Sequence, residues 1–178
     1  MLGRWWPIIE WTAVGGVAAL ATFSDLRTGR IPNALTFGAM AGGLLFSAIH
    51  AGGAGLATSL LGGVVGLALF FPLFALGGMG GGDVKLLAAV GTWLGPFGAL
   101  QAALWASLAG GVLAVIVGLS RGYLAAALRN VSALLWVWRT VGPSRVSELT
   151  LSESKGPRLA YAVPIGIGAI VALWIRQQ

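Results

Sequence analysis

The chain has 178 residues, 57% of them apolar and only 9% charged, with a net charge of +6. A water-soluble domain is about one quarter charged, so the composition points to a membrane protein. The absence of cysteine excludes disulfides, thiolate catalysis and cysteine-held metal. The single His50 cannot build a multi-histidine metal site, and the cations form no dense run of the kind nucleic acid selects.

Hydropathy predicts six membrane segments: Trp5–Phe23, Ala34–Ile49, Leu56–Leu76, Val84–Leu94, Phe97–Leu119 and Leu159–Ile175. A span needs about 20 apolar residues, and the fourth segment falls short of that. The first segment lacks the small-residue cleavage pattern of a signal peptide. If Asp25 faces the cytoplasm, Arg27, Arg30, Lys85, Arg121, Arg129, Arg139, Arg145, Lys155 and Arg158 all lie inside, and only Arg4 and Arg176 lie outside. That is the asymmetry of the positive-inside rule. It leaves the outer turns, Ala51–Gly55 and Gly95–Pro96, without charge.

Glycine, at 29 residues, is interleaved with Leu, Val and Ala, which suits close helix packing in lipid. Gly38/Gly42 and Gly62/Gly66 are small-residue pairs of this kind. Residues 121–156 are the one extended polar stretch. Leu124, Leu128, Val131, Leu135 and Trp138 recur at helical spacing there, with Arg121, Arg129 and Arg139 off the stripe. The expectation is an amphipathic helix on the cytoplasmic leaflet, followed by a loop over 142–157. The fold class is therefore an all-α polytopic membrane protein of about six transmembrane helices plus this interfacial helix, in a single domain over 1–178.

The chain has two aspartates, Asp25 and Asp83, each at the edge of an apolar segment. Carboxylates next to hydrocarbon are costly, which makes both candidates for function. Asp25 stands before Arg27, Arg30 and the Ile31-Pro32-Asn33 tract, with Pro32 suited to the first turn of the second helix. An ordinary interfacial turn, with Asp25 pairing Arg27 or Arg30, explains this segment equally well. Asp83 follows Gly77, Gly78, Gly80, Gly81 and Gly82, broken only by Met79. That stretch reads as irregular backbone dipping into the membrane to recess Asp83 in a wet cavity, or as a glycine loop ending in a helix-capping Asp. Two spans separate the aspartates, so they fall on one membrane side and can meet.

Two carboxylates that meet cannot both ionise cheaply and share a proton. The ionised member can deprotonate a water, while the protonated member polarises a carbonyl and protonates the leaving amine. No metal or cofactor is required. Lys85 either favours the ionised state or, more simply, snorkels to phosphates. Glu10, about 22 Å along a helix from Asp25, fits an interfacial or packing role, as does His50 at an outer turn. Trp5, Trp6, Trp11, Trp93 and Trp174 read as an aromatic belt at the outer boundary. A non-enzymatic reading, as a small ion-coupled carrier or assembly scaffold, remains the alternative.

Asp25 with Arg30-Ile31-Pro32-Asn33, and Gly80-Gly81-Gly82-Asp83 continued by Val84-Lys85-Leu86, resemble the two motifs of the type IV prepilin peptidases. These are GxGD-type intramembrane aspartyl proteases. Tyr161-Ala162-Val163-Pro164 is also similar to the family. The resemblance implies an aspartyl endopeptidase of the prokaryotic inner membrane. Its catalytic pair would be Asp25 and Asp83, supported by Gly80, Gly82, Lys85, Arg30, Ile31, Pro32 and Asn33. Its partners would be the lipid bilayer and a prepilin or pseudopilin, whose short basic leader it would cut at the cytoplasmic face, usually after a glycine. Starting at a membrane helix and lacking cysteine, the chain resembles the short form found with Tad/Flp-type pili, without the zinc-bearing methylation domain. Archaeal preflagellin peptidases share the two-aspartate pattern. Oligomeric state stays open.

Overall fold

The computed structural model describes residues 5–142 and 159–178. The loop expected over 142–157 lies almost wholly outside the described residues, as do Arg4, Arg145, Glu148, Glu153, Lys155 and Arg158. The described residues form five helices and no strand: α1 (Trp6–Thr28), α2 (Asn33–Ala75), α3 (Gly81–Ser120), α4 (Leu124–Val141) and α5 (Ala162–Arg176). By length and composition α1, α2 and α3 can cross a membrane, and α5 is a shorter apolar helix. The protein is an all-α membrane protein.

Helices α2 and α3 are each broken once. In α2 the break is at Ala51 and Gly52, the latter in a left-handed conformation that glycine allows at little cost (φ 58°). Gly43 and Gly63 both face Thr92. On a straight helix they would stand about 30 Å apart, so the chain reverses between them. In α3 the break is at Gly95 (φ 72°), followed by Pro96, whose missing N–H suits the first turn after the break. Each long helix is thus two apolar rods joined by a tight turn, where the sequence reading places separate segments with loops at Ala51–Gly55 and Gly95–Pro96.

The first rod of α3, residues 81–94, is the centre of the molecule. Val84, Leu86, Leu87, Ala88, Ala89, Val90, Thr92 and Leu94 are all buried in it. It starts earlier than expected, because Gly81 and Gly82 are already helical and only residues 77–80 form the irregular turn. At about 21 Å the rod is longer than the hydropathy segment, which eases its shortfall. The outward face of the assembly is apolar, with Ile49, Leu61, Phe97, Leu104 and Ile116 all exposed.

Glycine lets α2 reach this rod. A Cβ at Gly62 would collide with the Gly91 carbonyl, and one at Gly66 with that of Leu87. Ser59 Oγ donates to the Thr92 carbonyl at 2.6 Å. That carbonyl would normally accept from residue 96, but Pro96 has no N–H, so Ser59 fills the vacancy. Trp93 Nε1 donates to the Ala39 carbonyl at 2.8 Å, and Trp93 and Trp11 pack on the core. These two are packing residues, not belt residues, whereas Trp5 and Trp174 are exposed.

Helix α5 closes the bundle. Gly168 lies against the Ala102 carbonyl, and Gly166 would set a Cβ 3.3 Å from that of Ala18 on α1. At the far end from the aspartates, Arg176 and Glu10 form a salt bridge of 3.6 Å. His50 packs on Trp6, with ring centroids 4.5 Å apart. Helix α4 forms over the stripe that the sequence reading marks as helical, and touches little of the bundle. Leu124 packs on Gly118, but Leu128, Val131 and Leu135 of its apolar stripe are exposed.

The small-residue pairs are unequal. Gly42 meets Trp93, and Gly62 and Gly66 meet backbone, but Gly38 faces open space. Gly62→Ala should therefore cost about 1–3 kcal/mol of stability through overpacking, while Gly38→Ala should be near neutral. Thermal unfolding of the purified protein in detergent tests the contrast.

Candidate active site

Asp25 is not in a turn after the first helix. Helix α1 runs on to Thr28, so Asp25 occupies its last turn, and its carbonyl accepts from the Gly29 amide at 2.8 Å. Gly29 caps the helix in a left-handed conformation (φ 63°). The link to α2 is held by hydroxyls: Ser24 and Thr28 both donate to the Arg30 carbonyl, at 2.8 Å and 3.2 Å. Ile31 turns inward and is buried, and Pro32 is the extended N-cap of α2, one residue before the position expected for it.

Asp83 sits in the first turn of α3, where the helix dipole favours negative charge. The Gly80 amide hydrogen-bonds its carboxylate, which is the reciprocal half of a capping box. The helix-capping reading of Asp83 is thus part of its description. The glycines also admit the neighbouring motif: a Cβ at Gly82 would stand 3.1 Å from that of Ile31, and one at Gly80 would stand 2.9 Å from Asp83 Oδ2.

The structure brings the two aspartates together. Asp25 and Asp83 are each half-buried and close enough to feel each other's charge. Among the described residues Asp25 makes no ion pair with Arg27 or Arg30. Arg27 instead lies over the Phe23 ring, 4.2 Å from its centroid. Asp25 is held by a partner the sequence reading does not anticipate: the Ala162 amide, at the start of α5, donates to Asp25 Oδ2 at 3.2 Å. The preceding residue, Tyr161, lies within electrostatic range of the other aspartate. Its phenol senses the charge of Asp83, and its ring covers Gly110.

Lys85 has a protein partner. Its Nζ donates to Asn33 Oδ1 at 2.9 Å and lies 5.6 Å from the Phe37 ring centroid. This bond ties the Ile31-Pro32-Asn33 tract directly to the segment after Asp83. Arg30 contributes its carbonyl to the link, and its side chain is exposed. Glu10 pairs with Arg176 and is not part of the site. Among the described residues no cluster of acidic or histidine side chains could hold a metal ion.

The arrangement is a pair of carboxylates at one end of a helix bundle, each met by a backbone amide, and among the described residues neither is paired with a cation. A family model, described as the type IV leader peptidase family, matches residues 12–115, a span that includes both aspartates. The chain belongs to the type IV leader peptidase family. Its relatives include proteins named prepilin leader peptidase/N-methyltransferase. That of Neisseria gonorrhoeae is 34% identical over 126 residues, which cover 64% of this chain and 43% of the relative. That of Burkholderia pseudomallei (strain K96243) is 35% identical over 113 residues, 58% of this chain and 36% of the relative. That of Aeromonas hydrophila is 34% identical over 97 residues, 51% of this chain and 33% of the relative. The chain therefore spans less than half the length of these leader-peptidase relatives. No solved structure matches the chain.

The Lys85–Asn33 bond gives a stability prediction. In a double-mutant cycle of Asn33→Ala and Lys85→Met, the two losses should be coupled by roughly 0.5–1 kcal/mol, a modest value because the bond is exposed. Thermal unfolding of the four proteins reads the coupling.

Proposed function

We propose that the protein is an intramembrane aspartyl endopeptidase that removes the short basic leader of a type IV prepilin or pseudopilin. The observation that carries this reading is the approach of Asp25 to Asp83 at one end of an apolar bundle, in a chain of the leader peptidase family. The cut is made at the cytoplasmic face of the prokaryotic inner membrane. The cation distribution supports that orientation: Arg27, Arg30, Lys85, Arg121, Arg129 and Arg139 belong to the aspartate side, and Arg176 to the opposite end.

The chemistry follows from sharing one proton between two carboxyls. The ionised carboxylate takes a proton from water as the water oxygen attacks the scissile carbonyl carbon. The protonated carboxyl gives its proton to the carbonyl oxygen. Collapse of the tetrahedral intermediate breaks the C–N bond: the leaving nitrogen takes the proton that water surrendered, and a hydroxyl of the intermediate returns a proton to the carboxylate that had donated one. The products are a new carboxyl on the leader and a new amine on the mature protein. Both carboxylates regain their starting states, and no metal or cofactor takes part.

The substrate's apolar helix stays in the bilayer while its leader meets the site from the cytoplasm. The irregular, glycine-rich backbone at 77–80 leaves room for an extended strand to approach Asp83. Residues 1–178 form a single membrane-embedded domain. Its α4 lies on the cytoplasmic leaflet, a role supported by the exposed stripe of Leu128, Val131 and Leu135.

Co-expression with a prepilin tests the proposal. Asp25→Asn and Asp83→Asn should each abolish leader removal at unchanged membrane levels, since either change breaks the shared-proton pair. Full processing by either variant would sink the mechanism.

A further inference from the structure

Among the described residues, the donors around the two aspartates are already engaged. The Ala162 amide is committed to Asp25, and the Gly80 amide to Asp83. The Lys85 ammonium is directed to Asn33. Peptide hydrolysis also places negative charge on the carbonyl oxygen under attack. A fixed donor aimed at that oxygen is among the largest single contributions a site can make.

Tyr161 fits that need. It is the residue before Ala162, so the hydrogen bond that anchors Asp25 also fixes the backbone carrying the phenol. Its ring is seated on Gly110 of α3, where an added Cβ would come 3.0 Å from the hydroxyl and 3.1 Å from the carbon bearing it. The hydroxyl lies within electrostatic range of Asp83 and makes no hydrogen bond to another described residue. Resting on the aspartyl-peptidase reading, we infer that Tyr161 is a third catalytic residue, whose hydroxyl donates a hydrogen bond to the scissile carbonyl oxygen as it becomes tetrahedral.

The phenol keeps its proton throughout, as an ordinary phenol does near neutral pH. It is a donor only, and the proton that moves to the oxygen is the one shared by the aspartates. Tyr161 therefore acts mainly on the transition state, where the oxygen carries most charge. Its loss should lower kcat and leave KM almost unchanged. Gly110 is the floor of this arrangement: a methyl there pushes the phenol away from its position and should mimic the loss.

The test uses the purified protein in lipid vesicles and a synthetic peptide with a basic leader, a glycine at the cut and an apolar helix. Tyr161→Phe keeps the ring and removes the donor. It should lower kcat by about a hundredfold, the typical effect of deleting one oxyanion donor. Gly110→Ala should also lower kcat, and the double variant should be no slower than Tyr161→Phe alone, because both changes remove one interaction. Wild-type kcat in Tyr161→Phe, a loss confined to KM, or losses that multiply in the double variant would overturn the assignment. So would a Tyr161→Phe protein that fails to fold, since the hydroxyl would then be structural. Failure of the wild type to cut the peptide would instead overturn the peptidase reading itself, with Asp25→Asn as its matching blank.

Discussion

Close backbone contact between α2 and the first rod of α3 is the constraint on which the rest of the structure depends. Lipid tails are as apolar as Leu, so helices in a membrane gain little from hiding hydrophobic side chains from one another. They are held by van der Waals contact over surfaces that fit, and Gly62 on Gly91 and Gly66 on Leu87 bring main chain onto main chain. The enclosed rod carries Asp83 at its exposed end. The same device, through Gly168 on Ala102 and Gly166 near Ala18, seats α5 so that its first amide meets Asp25.

That packing also solves an electrostatic problem. A carboxylate at the edge of hydrocarbon needs donors, and an arginine would provide them at the cost of fixing the charge. Here the donors are backbone amides at the starts of α3 and α5, where helices have N–H groups to spare. Among the described residues the amides orient the carboxyls and no cation pairs with either. The same economy appears at the Pro96 break, where the carbonyl left without a partner is taken by Ser59. Polar groups in this bundle are satisfied by short local arrangements, as a medium without water demands.

Much of this was legible in the sequence. Hydropathy and the punctuation by Gly52 and by Gly95-Pro96 located the apolar rods and their turns, and the even number of rods between Asp25 and Asp83 put both at one end. The start of α3 was harder to read. A run of glycine resembles a loop on the page, yet Gly81 and Gly82 are helical because Asp83 caps that turn and Ile31 packs where a larger residue would not fit. The role of Ala162 was invisible, since any residue but proline can offer a main-chain N–H, and only the nearby Tyr161 and Pro164 marked the place. The Lys85–Asn33 bond joins residues 52 apart, and no local pattern announces it. Trp93 illustrates a further limit: a tryptophan near a boundary reads the same whether it faces lipid or, as here, donates into the core.

The central claim is that Asp25 and Asp83 form one pair, and their separation in the membrane tests it most directly. The chain has no cysteine, so thiols can be placed without background. Asp25→Cys with Asp83→Cys should be joined efficiently by a short bifunctional thiol reagent in native membranes. Leu26→Cys with Asp83→Cys, in which the neighbouring side chain is 66% exposed and points away, should not. Equal linkage of the two pairs, or none between positions 25 and 83, would contradict the account.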